Sequence, residues 1–97
     1  DEGDRIAKAL GDKRAAILKN HGLLTTGESV DAALWAVLSM DRCCQSQLLA
    51  EAAGQMERIS DDVAALTKTQ VGSEMAMWAS FQHLYDLMLE KDDSFLN

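Results

Sequence analysis

The residues with the clearest chemical potential lie at one turn, Asn20-His21-Gly22, inside the stretch Ala15–Gly27, "AAILKNHGLLTTG". A neutral imidazole is a common ligand of transition metals. Asn and His also tolerate positive φ angles better than most residues, and glycine adopts them without steric cost. The spacing therefore leaves two interpretations open: an ordinary turn, or a histidine presented as a metal ligand at the tip of a rigid hairpin.

Other candidate ligands are few. A catalytic zinc usually takes three protein ligands and leaves a fourth position for water or substrate, and this chain offers His21, His83 and the adjacent pair Cys43 and Cys44. Neighbouring side chains on a helix diverge by roughly 100°, and the pair lacks the C-x-x-C spacing of metal sites. We interpret both cysteines as reduced residues that serve packing. The two remaining histidines are too few to form a complete metal centre within this chain.

The composition narrows the class of protein. The 97 residues contain 16 acidic and 9 basic side chains, giving a net charge of −7, which disfavours nucleic acid and anionic membrane surfaces as partners. No run of 18 apolar residues and no signal-peptide pattern occurs, so we expect a cytoplasmic protein. The first residue is Asp1 rather than methionine, and we expect a piece of a longer protein.

The spacing of apolar residues, together with capping residues and glycines, predicts the helices and strands that would position His21. Strands flanking the turn predict a β-hairpin over about 15–26, and helices are predicted at about 3–10, 30–53, 61–70 and 74–90. The long helix has Ser29 as its N-cap and Gly54 beyond its end. Its apolar surface exceeds one stripe, which predicts a second neighbour from further sequence or another subunit. The tail, residues 90–97, is predicted to fray.

A longer stretch carries a resemblance. Residues Ala15–Gly54, "AAILKNHGLLTTGESVDAALWAVLSMDRCCQSQLLAEAAG", closely resemble the C-terminal part of the class II aldolase/adducin domain, and Val71–Asp86 is similar to its closing segment in microbial and fungal members. The resemblance implies an α/β fold: a partial three-layer class II aldolase-like fold in which a β-hairpin from the central sheet packs with four helices. Residues 1–97 would then be the C-terminal part of a single such domain.

The resemblance also implies roles. In the metal-dependent aldolases of this family the histidine of the NHG motif is the third ligand of a catalytic zinc, which here would be His21. The H-x-H pair, the acid/base glutamate and the phosphate-binding loop of the family are not in these 97 residues, so no catalytic residue is assigned. His83 stands where related sequences commonly carry proline, and we interpret it as a helix-surface residue.

Two functions follow from the resemblance. The first is the C-terminal fragment of a zinc-dependent class II aldolase-type lyase that acts on a small hydroxycarbonyl or sugar-phosphate-like substrate, is inactive alone and belongs to a homotetramer. The alternative is a non-catalytic, adducin-like interaction module associated with the cytoskeleton, and a truncated product without independent function also stays open. The sequence does not name the substrate, because the substrate contacts of such enzymes lie mostly outside these residues.

Overall fold

The computed structural model describes residues 1–96, and Asn97 lies outside the described residues. The described part is an antiparallel β-hairpin with four α-helices, which confirms the predicted helix-rich α/β fold. In chain order the elements are α1 (Glu2–Leu10), β1 (Ala15–Leu18), β2 (Gly22–Thr25), α2 (Val30–Ala53), α3 (Asp61–Val71), α4 (Glu74–Lys91) and a 3₁₀ turn at Ser94–Leu96.

Local capping sets where the helices begin. Ser29, Ser60 and Ser73 each precede a helix, and each hydroxyl accepts a hydrogen bond from the backbone N–H three residues later. Such caps satisfy backbone donors that have no partner inside the helix. Asp1 caps α1 in the same manner through the N–H of Gly3, at 2.7 Å. This cap explains why α1 begins at residue 2, one residue before the predicted start.

The helices surround the hairpin unevenly. α2 packs against both β2 and α4, whereas α1 makes only a small contact with β1 and α3 an equally small one with α4. Among the described residues the buried apolar side chains are Ala32, near the start of α2, and Met77, near the start of α4. The best-packed region is therefore the base of the hairpin, where both of these helices begin.

Much of the apolar surface is open. The accessible surface is 8064 Å², whereas a compact monomer of 10.6 kDa has about 5,500 Å². Leu48 and Leu49 in the second half of α2 are 68% and 66% exposed. The sequence predicts a second packing partner for α2, and for the second half of this helix that partner is still a prediction. No helix in residues 1–96 combines the length and the apolar character needed to cross a membrane.

The tail differs from the predicted frayed end. Residues Ser94–Leu96 form a 3₁₀ turn, and the Phe95 ring meets the Tyr85 ring edge to face, with centroids 5.8 Å apart and planes at 77°. The Asp92 carboxylate accepts a hydrogen bond from the Ser94 N–H at 2.9 Å. Sequence patterning missed this segment because its order comes from one aromatic contact and one cap rather than from periodicity.

Candidate functional site

The hairpin turn fixes the backbone of His21. Lys19, Asn20 and His21 connect the strands, and the His21 N–H donates to the Leu18 carbonyl oxygen at 3.1 Å. Asn20 has φ 65° and Gly22 has φ 137°. A Cβ at Gly22 would meet no atom within 4 Å, so glycine is favoured there by its backbone angle and not by lack of space. The imidazole extends from a short turn closed by paired strands.

The His21 side chain borders a groove of about 310 Å³ between α1 and the hairpin. Its imidazole is 67% exposed, and its Nε2 lies 3.9 Å from Oε1 of Glu2, in the first turn of α1. That separation is too long for a hydrogen bond. Arg5 and Lys19 line the same groove. The turn therefore brings one imidazole and one carboxylate together, flanked by two basic side chains.

The donor chemistry suits part of a metal site. Imidazole nitrogen and carboxylate oxygen are both ligands of zinc. Within residues 1–96, however, no group of three or more His, Cys, Asp or Glu side chains is placed to hold a metal ion. His21 and Glu2 fit as contributors to a shared centre, and further donors would have to come from beyond the described residues. The assignment of His21 as a ligand stays a prediction.

The other candidate ligands lie apart from the His21 groove. His83 is exposed on α4, in keeping with its interpretation as a helix-surface residue. Cys43 is exposed and Cys44 is half-buried, and both are free thiols. Cys44 borders the apolar surface formed by Ile17 and Leu23 of the hairpin. This position agrees with packing and not with metal binding.

A polar network at the base of the hairpin was not predicted. The Arg14 guanidinium donates to the Gly72 carbonyl oxygen at 2.5 Å and pairs with the Glu74 carboxylate at 3.4 Å. The other oxygen of Glu74 accepts a hydrogen bond from the Glu28 backbone N–H at 3.0 Å. Arg14 and Glu74 are 60 positions apart in the chain, so no local spacing signals the contact. The network fastens the hairpin to the start of α4.

Two further hydrogen bonds fix the surroundings of the hairpin. The Thr25 hydroxyl donates to the Ala33 carbonyl oxygen at 2.8 Å, which joins β2 to α2. The Gln82 side chain donates to the Asp31 carboxylate at 2.6 Å, which joins α4 to α2. The base of the hairpin is thus bonded to both helices, while its tip carries His21 toward α1.

The most apolar groove lies elsewhere. It has a volume of about 540 Å³, runs between α2 and α4, and is lined by residues that include Leu34, Leu38, Phe81, Tyr85, Met88 and Phe95. Its α2 residues lie between Val30 and Leu38, and its lining includes no residue of the hairpin strands. His21 is not among its lining residues, so this groove is separate from the candidate metal centre.

Comparisons with known proteins find relatives that align with most of this chain. The family model described as the class II aldolase and adducin N-terminal domain matches residues 1–48. The decarboxylase NovR of Streptomyces niveus is 50% identical over 92 residues, which are 95% of this chain and 34% of that protein. A 4-hydroxy-3-prenylphenylpyruvate oxygenase/4-hydroxy-3-prenylbenzoate synthase of Streptomyces roseochromogenus subsp. oscitans is 49% identical over 92 residues, 95% of this chain and 33% of that protein.

A solved structure extends the match to the fold. L-fuculose 1-phosphate aldolase from Glaciozyma antarctica PI12 superposes with a TM-score of 0.81 and 42% identity, covering 93% of this chain and 38% of that one. The predicted class II aldolase-like fold is thereby confirmed. The chain spans about a third of the length of the two Streptomyces relatives. The relatives named here are described as enzymes, so the adducin-like alternative is not favoured.

Proposed function

This chain belongs to the class II aldolase and adducin family, and we propose that it is the C-terminal part of a metal-dependent, aldolase-type lyase. The observation that carries the proposal is the superposition on L-fuculose 1-phosphate aldolase at 42% identity over 93% of this chain. The relatives are about three times as long. The 97 residues alone would be inactive, because the remaining ligands and the acid/base group would come from the rest of the enzyme.

In this proposal His21 supplies one ligand to a zinc ion. When bound, such an ion would provide Lewis-acid chemistry, drawing electron density from a substrate carbonyl oxygen. The task of this chain is to hold the imidazole in place. The closed turn leaves His21 little backbone freedom, and the bonds at the hairpin base limit movement of the strands against α2 and α4.

We propose a small hydroxycarbonyl compound as the substrate. L-fuculose 1-phosphate is a sugar phosphate, and the Streptomyces relatives are named as a decarboxylase and as a phenylpyruvate oxygenase that is also a benzoate synthase. Aldol cleavage and decarboxylation both break a carbon–carbon bond and leave an electron pair that a neighbouring carbonyl group can accept. Incubating the complete enzyme with a hydroxycarbonyl sugar phosphate and, separately, with an aryl-substituted 2-oxo acid would decide which class it cleaves.

Assembly and location complete the proposal. A homotetramer would cover part of the apolar surface on the second half of α2, where Leu48 and Leu49 are exposed. A cytoplasmic location is supported by the free thiols of Cys43 and Cys44, which persist in a reducing compartment.

The decisive experiment compares two histidines in the complete protein. His21→Ala is expected to lower zinc affinity at least tenfold and to remove most carbon–carbon bond cleavage, because one ligand is lost. His83→Ala, which changes an exposed histidine on α4, is expected to keep both. Metal content by mass spectrometry, together with substrate turnover, provides the readout. Unchanged metal content and turnover in His21→Ala would overturn the ligand assignment.

A further inference from the structure

We propose that Glu2 acts together with His21 on the same metal ion, an inference that rests on the function proposed above. The Glu2 carboxylate is the acidic group that approaches the His21 ring, with Oε1 3.9 Å from Nε2. It comes from α1, while the imidazole comes from the hairpin turn. Two elements of this chain therefore contribute to the centre rather than one.

The separation suits two groups that share a cation. Zinc binds imidazole nitrogen and carboxylate oxygen at about 2.0 to 2.2 Å, so donor atoms on one ion are about 3 to 4 Å apart. Contact between α1 and β1 places the first turn of the helix beside the hairpin turn. Neighbouring Asp1 already accepts the N–H of Gly3 as the helix cap, which leaves the Glu2 carboxylate available to the groove.

Positive charge around the groove also favours a position of the Glu2 carboxylate beside it. The N-terminal end of a helix carries partial positive charge, and Arg5 and Lys19 add two cationic side chains to the groove lining. Within residues 1–96 no carboxylate lies within 4.0 Å of the Arg5 or Lys19 side-chain nitrogens. Without Glu2, a divalent cation at His21 would face mainly positive charge. The Glu2 carboxylate compensates one of these two positive charges, whether it binds the ion directly or through a bound water.

The test measures metal affinity in the complete protein. Glu2→Gln keeps the shape of the side chain and removes its charge, and we expect it to weaken zinc binding about tenfold to a hundredfold, the usual effect of losing a supporting carboxylate. Glu2→Asp restores the charge on a shorter side chain and is expected to recover part of the affinity. Glu90→Gln, a change of another exposed helical glutamate, is expected to leave affinity unchanged. Zinc competition titrations give the constants, and circular dichroism of the metal-free variants verifies folding.

The outcomes separate this inference from the proposed function. If His21→Ala loses zinc while Glu2→Gln binds it as tightly as Glu90→Gln does, Glu2 is only an exposed surface partner of His21 and the inference fails alone. If His21→Ala itself keeps its zinc, the proposed function fails first. A loss in Glu2→Gln that Glu2→Asp does not recover at all would indicate a structural effect and would also overturn the inference.

Discussion

Asn20 carries the backbone conformation on which the position of His21 depends. Its φ of 65° lies in the left-handed region, which asparagine tolerates through its short polar side chain and which costs other non-glycine residues about 1 to 2 kcal/mol. Asn20 therefore helps to orient the candidate ligand, His21.

Asn20→Ala is expected to lower the free energy of unfolding by about 1 kcal/mol, because alanine lacks the local polar contacts that ease this angle. Asn20→Gly is the matched control and should stay within about 0.5 kcal/mol of the parent, since glycine accepts the angle freely. Urea denaturation of the complete protein measures both. Equal stabilities for the alanine and glycine variants would contradict the assigned strain.

Residue types at one turn were enough to propose His21 as a candidate ligand, because Asn, His and Gly are adjacent in the chain. Glu2 and Arg14 could not be found in that way. Glu2 reaches His21 only after α1 folds back on β1, and Arg14 meets Glu74 only after α2 and α3 have brought α4 to the hairpin. A site assembled from distant segments leaves no spacing for a single sequence to reveal.

Elements were easier to predict than the contacts between them. Helix starts depend on a serine and the next few residues, so Ser29, Ser60 and Ser73 mark them directly. The ordered tail was missed because Phe95 finds its partner, Tyr85, across a turn. Local sequence signals thus predict where the elements begin, and only the structure shows how the elements pack against one another.

The ion pair between Arg14 and Glu74 should contribute measurable coupling between the residue that precedes β1 and the start of α4. Its side chains are only 35% and 25% exposed, so screening is weaker than at the surface. A double-mutant cycle with Arg14→Gln and Glu74→Gln is expected to give about 1 kcal/mol. The pair between Lys13 and Asp12, which is 77% and 91% exposed, serves as control and should give close to zero. Equal coupling energies in the two cycles would show that the Arg14–Glu74 pair contributes no more than an exposed surface pair.

The tail turn is expected to loosen in acid. The hydrogen bond from the Ser94 N–H holds the pKa of Asp92 below its ordinary value of 3.8. A lowered pKa in the folded state means that the stabilisation is present above pH 3.8 and is lost as the pH falls through the folded-state value. Amide exchange at Ser94, followed by NMR, should accelerate over that range relative to a neighbouring exposed amide.

Asp92→Ala should loosen the same turn at neutral pH and remove its acid response, whereas Asp93→Ala should retain that response. Because Asp92 is fully exposed, we expect a local effect on the 3₁₀ turn and on the contact between Phe95 and Tyr85, without a change in global unfolding. An acid response that persists in Asp92→Ala would assign it to another group.

At the scale of the whole molecule, the dominant property is a total accessible surface larger than that of a compact monomer. The excess over a compact monomer is about 2,500 Å², roughly three times what one partner buries in a standard protein interface. The radius of gyration of 15.9 Å also exceeds the about 12.5 Å of a compact domain of this length. The described fold therefore needs extensive cover, which the proposal assigns to the rest of the enzyme and its subunits.

The 97 residues expressed alone are accordingly expected to be helical but weakly ordered. Ala32 and Met77 are too small a buried set to offset the conformational entropy of nearly a hundred residues. Far-UV circular dichroism should show helix, while thermal unfolding should be broad, dye binding should report exposed apolar surface, and sedimentation should depend on concentration. The complete protein, measured beside it, should unfold cooperatively. A sharp, concentration-independent transition of the isolated chain would mean that the helices and the hairpin stabilise one another without further cover, and the assignment of the second half of α2 as a covered surface would be wrong.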